Sequence, residues 1–200
     1  RKDQNPFAGI TRTQCTGGFG VACGPVDPPD AMSPGVGFDG PTRPSVNVAG
    51  QTAFTGRPNP LSLDKGILVS QSTGGAPAVV TTLVSKGDAA PGFPPGTTFS
   101  TFGQPDINDV GKVAFWTNVT DAVGTQSRAI YTINTNGTGL TRAVTGSDLE
   151  IPNLLMSDFV RINNNNEVAF GAFDTTFTSS SVHMTVDGTP RVVAKTGDVI

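Results

Sequence analysis

Short apolar stretches alternate with polar residues along most of the chain, and they recur in a fixed order. The segments "SVNVAGQTAF" (Ser45 to Phe54), "DINDVGKVAF" (Asp106 to Phe115) and "RINNNNEVAF" (Arg161 to Phe170) align without gaps. Each opens with the end of a short strand, turns through polar residues, and closes on Ala-Phe with an alternation that buries one face of a second strand. A third strand follows as "GILVSQ", "RAIYTIN" or "SVHMTVD", and a fourth as "AVVTTLVS", "GLTRAVT" or "PRVVAKT". No stretch carries a helical period. The pattern predicts an all-β fold built from repeats of four-stranded antiparallel sheets.

The turn between the first two strands is the most explicit local chemistry. Asn47, Asn108 and Asn163 end the first strand and can cap their own turn with a side-chain oxygen. Gly50 and Gly111 stand three residues later, where a left-handed residue closes a bulged hairpin. Asn166 holds that place in the third segment, and Asn is the non-glycine residue that best tolerates positive φ. The run of four asparagines is therefore read as a hairpin and not as low complexity. Between the third and fourth strands, "TNGT" (Thr135 to Thr138) and "DGT" (Asp187 to Thr189) carry the Asn-Gly and Asp-Gly pairs of type I′ turns, with "STGG" (Ser72 to Gly75) in the equivalent place.

A second landmark fixes the period. "LVSKGD", "AVTGSD" and "VAKTGD" end at Asp88, Asp148 and Asp198, and Asp27 precedes Asn47 by the same 20 residues that separate Asp88 from Asn108. The chain parses as an N-terminal segment, 1–26, and a β-repeat domain, 27–200, with repeats 27–87, 88–147 and 148–197 and the start of a fourth at 198. Repeats of this size suit the four-stranded blades of a β-propeller. Three blades fall short of a closed ring, so a threefold array of the β-trefoil or β-prism kind is the alternative. The first residue is Arg1 and not Met, as expected of a mature or trimmed form.

The N-x-x-G-x-x-A-F signature, the following "GI" or "AIY" strand and the "GD-x-x-P-G" crossover together resemble the tandem-repeat NxxGxxAF proteins that bacteria secrete with varied anchoring tails, the choice-of-anchor type. "AIYTINTNGTGLTRAVT" (Ala129 to Thr145) is similar to a blade segment of TolB-type β-propellers. The resemblance spans about 27–200. It implies secretion and a repeat architecture, and it brings no catalytic residues with it. Asn166 in place of the usual Gly, and Ser147 where Gly87 and Gly197 stand, are local departures.

Composition narrows the partners. Net charge is −3 with a pI of about 4.9, so no basic surface exists to neutralise nucleic acid. No apolar run approaches the ~20 residues of a membrane-spanning helix. With 25 glycines and 16 prolines the chain is rich in turns, yet short of the composition of disorder. Cys15 and Cys23 are its two cysteines and flank a Gly-rich span that can close as a disulfide loop; two free thiols are the alternative. With a single distant His183 they do not make a tetrahedral metal site.

Asp88, Asp148 and Asp198 recur once per repeat and could bind Ca²⁺, or supply a carboxylate pair for a hydrolase or lyase. The plainer reading is that each caps the turn leaving the fourth strand. No other cofactor is expected. His183 lacks a nucleophile-elbow motif and reads as a strand residue, while Trp116 reads as packing. Phe54, Phe115 and Phe170 share one repeat position, which suits a core between sheets better than a sugar-binding face. Asn118 and Asn136 stand in N-x-T sequons, and Pro91 to Phe99 reads as a stiff crossover.

These features lead to the expectation of a non-enzymatic extracellular β-repeat protein, structural or adhesive at a cell surface, self-assembling through copies of itself or other surface proteins. A secreted propeller that binds a glycan or Ca²⁺ through its end loops is the alternative, followed by a carboxylate-based hydrolase or lyase.

Overall fold

The computed structural model describes residues 43–58, 64–71, 78–149, 154–174 and 176–198. All of them belong to one unit, Met32–Ile200. Cys15, Cys23 and the N-terminal segment lie outside the described residues.

Among the described residues the fold is all-β, arranged as three antiparallel sheets in chain order. The first holds β1 (Ser45–Val46), β2 (Gln51–Gly56), β3 (Gly66–Gln71) and β4 (Val79–Ser85). The middle sheet holds β5 (Thr98–Phe102), β6 (Asp106–Ile107), β7 (Lys112–Thr120), β8 (Gln126–Asn134) and β9 (Thr141–Thr145). The third holds β10 (Leu154–Ile162), β11 (Val168–Asp174), β12 (Ser180–Val186) and β13 (Thr189–Lys195). The middle sheet counts five strands because its outermost strand is split: β5 and β6 both pair with β7. In the third sheet the same place is taken by the nine residues of β10, so the first strand is longer than the sequence pattern suggested. A 3-10 turn at Gly146–Asp148 leaves β9.

Local irregularities fall at matching places. The third and fourth strands of every sheet slip register after Ile67, Ile130 and Val182 respectively. One extra residue there bends the edge strand and increases twist. The hairpins differ in detail. Asp187 and Gly188 both have positive φ, 52° and 77°, as a type I′ turn requires. The Asn-Gly turn does not: of Asn136 and Gly137 only the glycine is left-handed, at 81°. Its bonds run from Gly137 N–H to Asn134 O and from Asn134 N–H to Thr138 O, the wider loop of a type I turn closed by a bulge. The side chain of Asn136 explains the choice, since its Oδ1 accepts from the N–H and the hydroxyl of Thr138, a turn-stabilising bond that leaves Asn136 right-handed.

Alternation along β7 sends neighbouring side chains to opposite faces. Val113, Phe115 and Val119 join Ala129, Tyr131 and Ile133 in a core shared with Ala53, Ile67, Val69 and Val84 of the first sheet. Ala114, with Ile130 and Val144, enters a second core shared with Met156, Val160, Ile162, Val168, Phe170 and Ala172 of the third sheet. The middle sheet thus buries both faces, each in a different core. In a prism or trefoil the sheets would face one common core, and among the described residues no strand pairing joins one sheet to another. The sheets are stacked in series.

Aromatic side chains fill the first core. Phe99 meets Tyr131 edge-on with centroids 4.9 Å apart, and Phe115 stacks on Tyr131 at 6.0 Å. Phe115 and Phe170 each face the preceding sheet, whereas Ala53 and Ala114 face the following one. Phe54 and Leu68, on the other face of the first sheet, are also buried. A wholly buried side chain of this size contributes on the order of 2–3 kcal/mol.

Candidate functional site

The three turns that join the first two strands of each sheet form one continuous polar feature. In the first, Gly50 N–H donates to Asn47 O and Asn47 N–H to Gln51 O, at 3.0 and 3.1 Å. Asn47 Oδ1 accepts from the N–H groups of Ala49 and Gln51, and Asn163 Oδ1 accepts likewise from Asn165 and Glu167. Asn108 Oδ1 accepts from Lys112 N–H at 2.8 Å. The left-handed positions are Gly50, Gly111 and Asn166, with φ of 74°, 79° and 65°. Each asparagine oxygen therefore holds its own turn, as turn chemistry dictates.

The amide nitrogens reach further. Asn47 Nδ2 donates to Asn108 O at 3.0 Å, and Asn108 Nδ2 to Asn163 O at 2.8 Å. Asn108 Nδ2 also donates to Asn166 Oδ1 at 3.0 Å. Asn47 and Asn108 are 6% and 3% exposed, so water competes little for these bonds and an unmade one would be costly. Asn163 is exposed and directs its Nδ2 to Glu167 Oε2 in its own turn.

A parallel row runs one residue further along. Val48 N–H donates to Asp109 Oδ1, and Asp109 N–H donates to Asn164 Oδ1, both at 2.9 Å. Asn164 Nδ2 returns a bond to Asp109 Oδ2 at 3.1 Å. The Val48 N–H first, and then the Asn164 amide, hold the Asp109 carboxyl below its ordinary value of 3.8. Deeper in the stack, Asp106 Oδ1 accepts from the Ser45 hydroxyl at 2.6 Å and Asp106 Oδ2 from Ile162 N–H at 2.9 Å. One carboxylate so buckles all three sheets together.

The other sequence candidates have local partners. Asp88, Asp148 and Asp198 each accept through Oδ2 from the N–H three residues earlier, those of Ser85, Thr145 and Lys195 at 2.8, 2.6 and 2.8 Å. Asp148 also takes the Thr145 hydroxyl. Each carboxylate serves its own turn. His183 is 1% exposed, shares a 2.8 Å hydrogen bond between Nε2 and Ser181 Oγ, and stacks on Phe170 with centroids 5.2 Å apart. Phe54, Phe115 and Phe170 are all buried. Trp116 lies beneath the Arg128 guanidinium, 4.4 Å away, and against Gly103, where a Cβ would fall 1.7 Å from its indole nitrogen.

A groove of about 420 Å³ opens between the middle and third sheets beside the turn row. Thr132, Arg142, Glu167, Thr185 and Asp187 line it together with Asn166. Arg142 is anchored there, donating to Gly92 O and lying over the Phe93 ring at 5.0 Å. Burial pushes Tyr131 up to about 12, with Arg142 offsetting part of the rise, and its hydroxyl donates to Pro91 O at 2.8 Å. Arg142 and Tyr131 together pin the crossover, Pro91 to Phe99, to the sheet.

Sequence reasoning assigned the asparagines to their own turns and missed the bonds between sheets. It read Asn164 only as part of its own hairpin and passed over Ser45, Asp106 and Asp109. The available signal was positional: the residue after the turn Asn changes from Val48 to Asp109 to Asn164, so an acceptor is present only in the last two segments.

No curated protein and no solved structure matches the chain. A family model of unknown function, DUF7453, matches residues 64–166, just over half the chain, running from the approach to β3 through the third turn as far as Asn166. By that match the chain belongs to the DUF7453 family of unknown function.

Proposed function

We propose that the chain is a non-enzymatic extracellular scaffold whose sheets act as propeller-type blades, structural or adhesive at a cell surface and assembling with copies of itself or with other surface proteins. The observation that carries this reading is the bond series from Asn47 to Asn108 to Asn163, which links sheet to sheet through side chains already committed to their turns. Residues that elsewhere do chemistry serve architecture here. The three aspartates cap turns, and the lone histidine is enclosed with a serine in a core. Repeats that contact only their neighbours suit an extended or ring-shaped framework. Fractionation of the source cells, followed by electron microscopy of the native protein, tests the proposal. Surface retention together with assemblies of the protein supports it, and a cytosolic monomer overturns it.

The groove between the middle and third sheets favours a second reading, a glycan- or Ca²⁺-binding module. Its volume falls in the range of ligand sites, and Glu167 and Asp187 bring carboxylates beside threonine hydroxyls. A glycan array and a thermal shift with Ca²⁺ decide it: binding that Asp187→Asn removes supports this reading, and two blank results remove it.

A further inference from the structure

Three positions repeat through the stack. In the first sheet Thr55 pairs with Ile67 and Ile67 with Val84; in the middle sheet Trp116 pairs with Ile130 and Ile130 with Val144; in the third Gly171 pairs with Val182 and Val182 with Ala194. These rows face the following sheet. Ile67, Val84, Ile130 and Val144 are at most 2% exposed, because a following sheet covers them. Val182 is 48% exposed and Phe159 nearby 62%. With Gly171, Phe173 and Ala194 they line a mostly apolar hollow of about 430 Å³ on the outer face of the third sheet. An interface used twice is left open at its third occurrence.

The polar rows have a direction that says what fits there. In the two bonds that recur at both steps the donor belongs to the earlier sheet and the acceptor to the later one, with Asn164 Nδ2 returning one bond to Asp109: Asn Nδ2 gives to the next turn's Asn carbonyl, and the following N–H gives to the next turn's Asp or Asn side chain. At the third turn the corresponding donors are Asn163 Nδ2, held only within its own turn, and Asn164 N–H. The turn that leads out of each sheet is also formed a third time, with Asp198 Oδ2 on Lys195 N–H.

We infer that the outer face of the third sheet is a docking surface for a further four-stranded sheet of the same construction, placed in line after Asp198. That sheet carries an N-x-x-G-type turn with Asp or Asn after the turn asparagine, and it turns an apolar face with a Phe toward Val182. The first sheet of a second copy does not meet this description. Val48 offers no acceptor, and Phe54 and Leu68 are already covered. The inference rests on the blade reading of the sheets, but not on where the protein resides.

The test compares the 200-residue chain with an extended form in which residues 149–200 follow Asp198 a second time, so that a second Asn163, Asn164 and Phe170 meet the open face. In the extended chain the β12 amides exchange at least about tenfold more slowly, and Asn163→Ala lowers the urea midpoint more than it does in the 200-residue chain. Unchanged exchange and an equal effect of Asn163→Ala, with the added copy melting separately, overturn the inference. A dimer of the 200-residue chain that Val182→Lys dissolves also overturns it, since the occupant is then a second copy. Cell fractionation is independent of these outcomes, so loss of the extracellular reading leaves this test standing.

Discussion

Asn108 donates from its side-chain amide to the main-chain carbonyl of Asn163, 55 residues further along, while its side-chain oxygen holds the N–H of Lys112 in its own turn. One buried side chain therefore does two jobs that pull on different parts of it. Its oxygen shapes a hairpin, and its nitrogen attaches that hairpin to the next sheet.

The two jobs separate by substitution. Asn108→Asp keeps an acceptor for Lys112 N–H but points an oxygen at Asn163 O and Asn166 Oδ1. At neutral pH it is expected to cost about 2 kcal/mol or more, at least as much as Asn108→Ala. Part of that loss returns in acid, where a protonated carboxyl can donate again. Urea unfolding at two pH values checks this, and an Asp variant as stable as wild type at neutral pH would show that the nitrogen's bonds are idle.

Asn163→Ala is the matching control. Its side chain is exposed and bonds only within its own turn, to Asn165 N–H, Glu167 N–H and Glu167 Oε2. The expected cost is about 1 kcal/mol, clearly below that of Asn108→Ala, as read from urea midpoints.

Asn166 carries opposing terms. Its φ of 65° favours glycine, whereas its Oδ1 receives Asn108 Nδ2. Asn166→Gly relieves the backbone and loses the bond, so melting temperature stays close to wild type. Asn166→Val loses the bond and adds strain, and destabilises by about 2 kcal/mol. Thermal unfolding of the pair separates the two terms.

Asp109 gives a pH signature. Its folded-state pKa is held below the ordinary 3.8, first by Val48 N–H and then by Asn164. A depressed pKa stabilises the fold at pH values above the unfolded pKa, and that contribution disappears as pH falls through the lower folded value. Stability therefore falls on acidification below about pH 4, and Asp109→Ala makes the acid limb shallower. Urea midpoints across that window provide the check.

Gly103 is the packing test. Its N–H donates to Trp116 O, its carbonyl accepts from Thr55 Oγ1, and the indole occupies the space of a Cβ. Gly103→Ala must displace the ring, at about 2–3 kcal/mol. Trp116 is the sole tryptophan, so its fluorescence reports the displacement directly.

Much of this fold was legible because its signals are local. Strand alternation marked β2, β7 and β11, and the fixed offset from Asn47 to Gly50 specified the bulged hairpin before any tertiary contact was known. The stacking order was not legible. Ala114 and Phe115 both read as core, and only the pleat shows that they enter different cores on opposite faces. Asn-Gly at Asn136 misled for a related reason: a side-chain bond to Thr138 chose the wider turn, and pair statistics do not contain that bond. The inter-sheet use of Asn108 was invisible because a turn cap and a ladder donor need the same residue. Asp106 was passed over since a carboxylate at a strand end resembles an ordinary solvated charge until Ser45 and Ile162 N–H are brought to it.

Whether side chains of one turn hold the next sheet is read from a double-mutant cycle between Asn108→Ala and Asn166→Gly. Urea unfolding of the four proteins is predicted to give a coupling energy of about 0.5–1 kcal/mol, with the double variant less destabilised than the sum of the singles. Additive effects, with no coupling energy, would mean that Asn108 Nδ2 and Asn166 Oδ1 share no bond across the sheets, against the geometry found here.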